Sequence, residues 1–253
     1  MGKINNIIFD LDGTLVDSYP AAIKSTTEAL SDFGVQVSDA DVRGQFGGGS
    51  RKLLWYFLDR FLGQNKASEL IEKVIQRRLE LQLSFTDRVT LLPNVKQLLE
   101  SLRIDGFRIA LATMSSGPVV QNIMNFHGIG HYFDHVVTVD DVVNVKPDPE
   151  ILVKTIGLLG VNAEQAVYCG DSSHDSEAAF RLDMPFLLIN SGLYVRGEAL
   201  QKLLISVEHR GCPVIGLEDM LSIKDVITQI SEIRVLSDSQ CQIRTAAYKQ
   251  LKL

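Results

Sequence analysis

Five short apolar runs constrain this chain more than anything else in it: NIIFD at 6–10, RIALAT at 108–113, HVVTV at 135–139, AVYCGD at 166–171 and PFLLIN at 185–190. Each is bounded by polar or glycine residues and reads as a buried strand. Between them lie helical patterns, NVKQLLESL (94–102), GPVVQNIMNFHG (117–128), PEILVKTIGLLG (149–160) and DSEAAFRL (175–182). Proline or a small polar residue opens several of these and glycine closes two, as helix caps do. Strand alternating with helix at this pitch predicts an α/β architecture, a doubly wound parallel sheet with helices on both faces.

The stretch from Tyr19 to Asp87 breaks the rhythm. It holds no convincing strand, only helical segments such as AAIKSTTEALSDFG, RKLLWYFLDRFLG and ASELIEKVIQRRLELQL, and reads as an inserted helical domain. The expected organisation is a core of residues 1–18 and 88–230, a helical insertion over 19–87, and a C-terminal extension, 231–253, too weakly patterned to assign a packing.

Composition narrows the partners. A net charge of −6 and a pI near 5.4 argue against nucleic acid or an anionic membrane, both of which call for a basic face. A small anionic substrate remains compatible if positive groups gather locally. The three cysteines, Cys169, Cys212 and Cys241, are far apart and form no CxxC pair, so they read as reduced thiols of a cytoplasmic protein. No secretory leader pattern opens the sequence, and no run of about 18 apolar residues suggests a membrane span. A soluble monomer or homodimer is expected.

In an open parallel sheet, ligands bind beyond the carboxyl ends of the strands. Those ends carry Asp10 and Asp12, then Thr113, then Asp171 and Asp175, and Lys146 in NVKPDPE follows the third run. Four carboxylates, a hydroxyl and an ammonium thus converge on one rim from more than 160 residues of sequence. Phosphoryl transfer to an aspartate requires such a set: a carboxylate nucleophile, a second carboxyl group to protonate the leaving oxygen, and cations to hold the phosphate beside them. A hard divalent cation, Mg²⁺ by common use, relieves the repulsion, and Lys146 adds a compact positive charge. An EF-hand loop from Asp10 is excluded, because Leu15 and Ala21 stand where glycine and glutamate are needed.

These residues resemble the four motifs of the haloacid dehalogenase superfamily over roughly Ile7 to Ser191. DLDGT at 10–14 is similar to its first motif, Thr113 to its second, Lys146 in VKPDP to its third and GDSSHD at 170–175 to its fourth. The resemblance implies a Rossmann-like core with a helical cap of the phosphoglycolate phosphatase and beta-phosphoglucomutase branch. It implies Asp10 as the nucleophile that becomes aspartyl phosphate and Asp12 as acid and then base. Mg²⁺ would be bound by the side chains of Asp10 and Asp171 and the backbone carbonyl of Asp12, with Asp175 steadying the metal or its water. Thr113 and Lys146 would hold the phosphoryl oxygens. Met114, where many relatives carry asparagine, joins them in the substrate-binding set. The carboxylate at Asp12 favours phosphate over halide chemistry, since a departing halide needs no proton.

The expected activity is Mg²⁺-dependent hydrolysis of a small phosphorylated metabolite. The rivals are a sugar phosphomutase, a phosphonate hydrolase using a cap lysine such as Lys52, and a Mg²⁺-binding regulatory protein without turnover. The glycine-rich GQFGGGSRK at 44–52 reads as a flexible cap loop in which Arg51 meets the non-reacting end of the substrate. Trp55, Tyr56, Phe57 and Phe61 beyond it read as cap core. His127, His131 and His135 recur every four residues, but Gly128 and Gly130 interrupt any helix that would make them a metal face.

Overall fold

A computed structural model describes residues 4–45 and 49–239. Contacts divide the chain into two compact units, one of Met1–Val16, Leu91–Gly117 and Gly128–Leu253, the other of Asp17–Thr90 and Pro118–His127. The first strand, β1 (Asn6–Phe9), belongs to the first unit. Two short strands, β2 (Val16–Asp17) and β3 (Thr90–Leu91), form a separate two-stranded sheet, and the chain passes from one unit to the other inside each.

The remaining strands of the first unit are β4 (Arg108–Ala112), β5 (His135–Val137), β6 (Ala166–Gly170), β7 (Phe186–Asn190) and β8 (Val214–Gly216). With β1 they make one parallel sheet in the order β5-β4-β1-β6-β7-β8. All five predicted strands are present; β8, at the sheet edge, is an addition. From β1 the chain steps outward to β4 and β5, then returns to the other side of β1 for β6, β7 and β8. The strand order therefore reverses at β1, where a doubly wound sheet opens its binding crevice.

The burial explains why the runs do not alternate. Ile8, Ala110, Tyr168, Phe186 and Leu188 join a core cluster with Ile151, Leu152, Leu203 and Val207. The intervening residues Ile7, Phe9, Ile109, Leu111, Val167, Cys169 and Leu187 point the other way and are equally buried. Both faces of the central strands are covered, so their interior positions are apolar on both sides, and polar residues such as Asn6, Arg108 and Asn190 fall at strand ends. The helices of this unit are α5 (Val95–Ile104), α7 (Glu150–Leu159), α8 (Ser173–Phe180), α9 (Gly197–His209) and α10 (Ile223–Ser239). The extension expected from residue 231 begins inside α10, whose Ile223, Ile227 and Ile230 are buried. There Ser231 Oγ accepts the N–H of Ile4 at 3.0 Å, tying the helix to the start of the chain. The last part of that extension, including Cys241, lies outside the described residues.

The second unit is helical: α1 (Tyr19–Asp32), α2 (Asp39–Arg43), α3 (Gly49–Leu62) and α4 (Gln64–Ser84). Gly63, at φ +80°, links α3 to α4, and Leu54, Phe57, Leu58, Ala67, Ile71 and Val74 are buried along them. Two expectations change here. Ser50, Arg51 and Lys52 belong to the first turns of α3 rather than to a flexible loop, while Phe46–Gly48 lie outside the described residues. Phe61, in the last turn of α3, is 52% exposed and so is not part of the cap core. The helix after β4, α6 (Gly117–His127), groups with this unit by contact. Its Asn122 donates to Leu83 O at 3.1 Å and Thr86 Oγ1 at 2.6 Å, and its His127 Nε2 meets Val89 O at 2.9 Å.

Candidate active site

The register of the sheet sets the site. Phe9 lies opposite both Leu111 and Cys169, so the residues that follow, Asp10, Ala112–Thr113 and Gly170–Asp171, emerge together at the crevice. The Asp10 N–H donates to Cys169 O at 2.9 Å, holding the nucleophile candidate at the end of β1 with only 7% of its surface exposed. The chain then turns sharply: Leu11 O accepts the N–H groups of Leu15 at 2.9 Å and Val16 at 3.0 Å. Gly13 permits this turn at φ +81°, and a Cβ there would stand 2.2 Å from Asp171 Oδ2 and 2.6 Å from the Tyr194 ring.

Lys146 is the electrostatic centre. Its Nζ donates to Asp10 Oδ1, Asp175 Oδ1 and Ala112 O, each at 2.9 Å, and to the Tyr168 hydroxyl. An ammonium has three protons for these four acceptors, so the contacts are shared rather than all fully made. Burial alone would push Lys146 down, but Asp10 and Asp175 together push it up, and it is held charged. Asp175 is fixed by its surroundings: Tyr168 Oη donates to its Oδ1 at 2.7 Å, and Ser172, the N-cap of α8, donates to its Oδ2 from the backbone at 3.1 Å. Burial would raise Asp175, yet Lys146, Ser172 and Tyr168 outweigh it and hold the carboxyl below its usual range.

Asp10 and Asp171 behave differently. Burial pushes Asp10 up to about 7, opposed by Lys146 and reinforced by Asp175 and Asp12. Burial likewise raises Asp171 well above the usual range, with Asp175, Asp10 and Asp12 adding repulsion. The carboxylate oxygens of Asp10, Asp171 and Asp175 lie within 4.8 Å of one another, and Asp171 Oδ2 is buried without a hydrogen-bond partner among the described residues. An orphaned, desolvated oxygen in a cluster of like charges is what a hard, oxygen-seeking divalent cation fits. The donor set suits such an ion and offers nothing soft.

Thr113 is fully buried just past β4, and its Oγ1 accepts the N–H of Ser115 at 3.1 Å. Ser115 Oγ donates to Asp12 Oδ2 at 2.7 Å, and Thr113 Oγ1 lies 3.5 Å from the same oxygen. Met114, between them, packs its side chain against the core cluster.

Asp10, Asp12, Thr113, Lys146, Asp171 and Asp175 are therefore assembled in one unit from the ends of three adjacent strands and the loop that carries Lys146. Arg51 belongs to the other unit, where it is exposed and paired with Glu72 of α4; Lys52 beside it is exposed as well. The three histidines separate: His127 ends α6, His131 lies in a short turn against the Tyr132 ring, and His135 opens β5. Sequence reasoning missed Ser115, Tyr168 and Ser172. Ser115 stands two residues beyond Thr113, and Ser172 has the N-cap spacing to Asp175, so both left a signal; Tyr168 looks like any core residue of a strand.

The comparisons agree with this geometry. Residues 7–189 match the family described as haloacid dehalogenase-like hydrolase. The phosphoglycolate phosphatase of Yersinia pseudotuberculosis is 31% identical over 220 residues, spanning 86% of this chain and 92% of that protein. The pyrophosphatase PpaX of Bacillus cereus is 30% identical over 173 residues, spanning 68% and 77%. The crystal structure of the beta-phosphoglucomutase of Clostridium difficile superposes with a TM-score of 0.72 at 21% identity, covering 92% of this chain and 99% of that one. With its parallel sheet, its strand-end carboxylates and these relatives, the chain belongs to the haloacid dehalogenase-like hydrolases, in the branch of the phosphoglycolate phosphatases.

Proposed function

We propose that the protein is a phosphomonoester phosphatase that works through a covalent phosphate on Asp10. The observation that carries this reading is the pairing of a buried carboxylate, Asp10, with the buried ammonium of Lys146 at 2.9 Å, beside a second carboxylate, Asp12, two residues away. Asp10 attacks phosphorus through the oxygen not held by Lys146, and the bond to the leaving oxygen breaks as Asp12 delivers a proton to it. Thr113 and Lys146 donate to the phosphoryl oxygens, and Met114 contributes its backbone. Water then attacks the phosphorus, Asp12 takes its proton, and Asp10 is released with inorganic phosphate. Mg²⁺ held by Asp10, Asp171 and the Asp12 carbonyl would neutralise part of the phosphate charge. Asp175, whose oxygens are engaged by Lys146, Tyr168 and Ser172, orients Lys146.

Its relatives point to a small phosphorylated metabolite such as phosphoglycolate, handled in the cytoplasm, and Arg51 is the cap residue we assign to its non-reacting end. That role requires Arg51 to exchange Glu72 for the substrate, an exchange whose cost is small because an exposed pair is worth less than about 1 kcal/mol. The phosphonate hydrolase alternative is disfavoured by Lys52, since a Schiff-base amine is activated by desolvation and this one is exposed. A panel of phosphorylated metabolites, 2-phosphoglycolate and pyrophosphate among them, assayed for phosphate release with Mg²⁺ and with EDTA, tests the reading. Release should require the metal and fall by roughly a thousandfold or more in Asp10→Asn. Conversion of a sugar phosphate to its isomer without phosphate release would establish the mutase instead.

A further inference from the structure

We infer that Ser115 is the positioning residue for proton transfer by Asp12, an inference that rests on the reading of Asp12 as the acid and base of phosphate release. Asp12 follows the rigid end of β1, yet its carboxyl group is carried on a side chain with two rotatable bonds. A general acid has to meet the leaving oxygen within about 2.6–3.2 Å, so a side chain that swings between rotamers spends part of its time out of reach. Ser115 removes that freedom by donating its hydroxyl to Asp12 Oδ2 at 2.7 Å.

The same bond decides which oxygen carries the proton. Oδ2 accepts from Ser115 and has Thr113 Oγ1 at 3.5 Å, so the oxygen facing two hydroxyl groups is the acceptor and the acid proton is directed to Oδ1. In the first half-reaction Oδ1–H is given to the leaving oxygen as the phosphorus–oxygen bond breaks and the Asp10–phosphorus bond forms. In the second, Oδ1 takes a proton from the attacking water as the Asp10–phosphorus bond is cleaved. Ser115 neither gains nor loses a proton in the cycle. It also serves Thr113: the Ser115 N–H donates to Thr113 Oγ1 at 3.1 Å, leaving the threonine proton for an acceptor in the site.

This double role makes the hydroxyl separable from the turn. Ser115→Ala deletes the contact with Asp12 but keeps the backbone N–H that holds Thr113, and Ser115→Thr keeps both. A purely structural serine would affect every substrate alike, whereas one that aims the acid matters only when the leaving group needs a proton. The experiment compares kcat/KM for wild type, Ser115→Ala and Ser115→Thr on p-nitrophenyl phosphate, phenyl phosphate and glycerol phosphate. For Ser115→Ala we expect a loss within about threefold on p-nitrophenyl phosphate, growing to roughly ten- to a hundredfold on glycerol phosphate, with Ser115→Thr close to wild type. Equal losses across the series, or none, would overturn the assignment. A wild-type protein that releases phosphate from none of a wider metabolite panel would overturn the phosphatase reading instead, and the inference with it.

Discussion

Gly13 shows how tightly single residues bind the site together. It has no side chain of its own to contribute, yet a methyl group there would stand 2.2 Å from Asp171 Oδ2, well inside van der Waals contact, on a backbone at φ +81°. Gly13→Ala should therefore displace Asp171 and strain the turn at once, leaving little phosphate release and weak response to Mg²⁺ while most of the sheet survives. Titration of activity against Mg²⁺ concentration checks this, and a wild-type response would refute it. At this scale the sequence exposed the groups that end strands, because a charged residue directly after an apolar run has few structural uses. It concealed those whose role depends on orientation. Tyr168 is fully buried in mid-strand, and only its hydroxyl, reaching Lys146 and Asp175, separates it from its apolar neighbours.

Elements were legible in proportion to their burial. The central strands β1, β4, β6 and β7 are buried on both faces and read as apolar runs, and the edge strand β5, with Val136 38% exposed, shows through the longer run HVVTV, whereas β8 at the other edge has Val214 41% exposed and no such run around it. The GGGSR stretch misled in another way: three glycines suggest a loop, but Gly49 begins α3. α6 could not be placed from sequence either, since its apolar spacing is that of any crossover helix and its grouping depends on Asn122 and His127 finding carbonyls near residues 83–89. α10 runs on past residue 230, where the sequence shows only a weakly patterned tail, and Ile227 within it has 0% exposure. Ile227→Ala should cost about 2–4 kcal/mol of stability. Thermal unfolding should show it as a lowered Tm, while kcat below that temperature stays near wild type, because the bonds of the helix among the described residues run to Ile4 and Asp105 rather than to the candidate site. A Tm unchanged within error would mean that α10 contributes little to the core.

For the whole molecule, the buried carboxylates tie stability to pH. In the unfolded chain Asp10 ionises near pH 4, whereas in the folded protein it holds its proton to about 7, and Asp171 is raised as well. Between these limits the folded state binds more protons than the unfolded one, so stability falls as pH rises, by up to about 1.4 kcal/mol per pH unit for each group. Asp175 and Lys146 do not cancel this: a lowered aspartate acts below about pH 4 and a raised lysine above about pH 10. In EDTA the Tm of wild type relative to Asp10→Asn should therefore decline from pH 5 to 7.5, and Mg²⁺ should stabilise wild type more at pH 7.5 than at pH 5. A difference independent of pH would contradict the burial of these groups. The sheet order has another consequence, which concerns synthesis. β1 precedes the other described strands and lies at the centre of the finished sheet, but its partners begin at Arg108 and Ala166. At roughly 5–20 residues per second, the chain grows for about 5–20 s before the nearer of them exists. For that interval an apolar strand that leads straight into Asp10 has no edge of this sheet to join, which makes the nascent chain, rather than the finished enzyme, the state most in need of a chaperone.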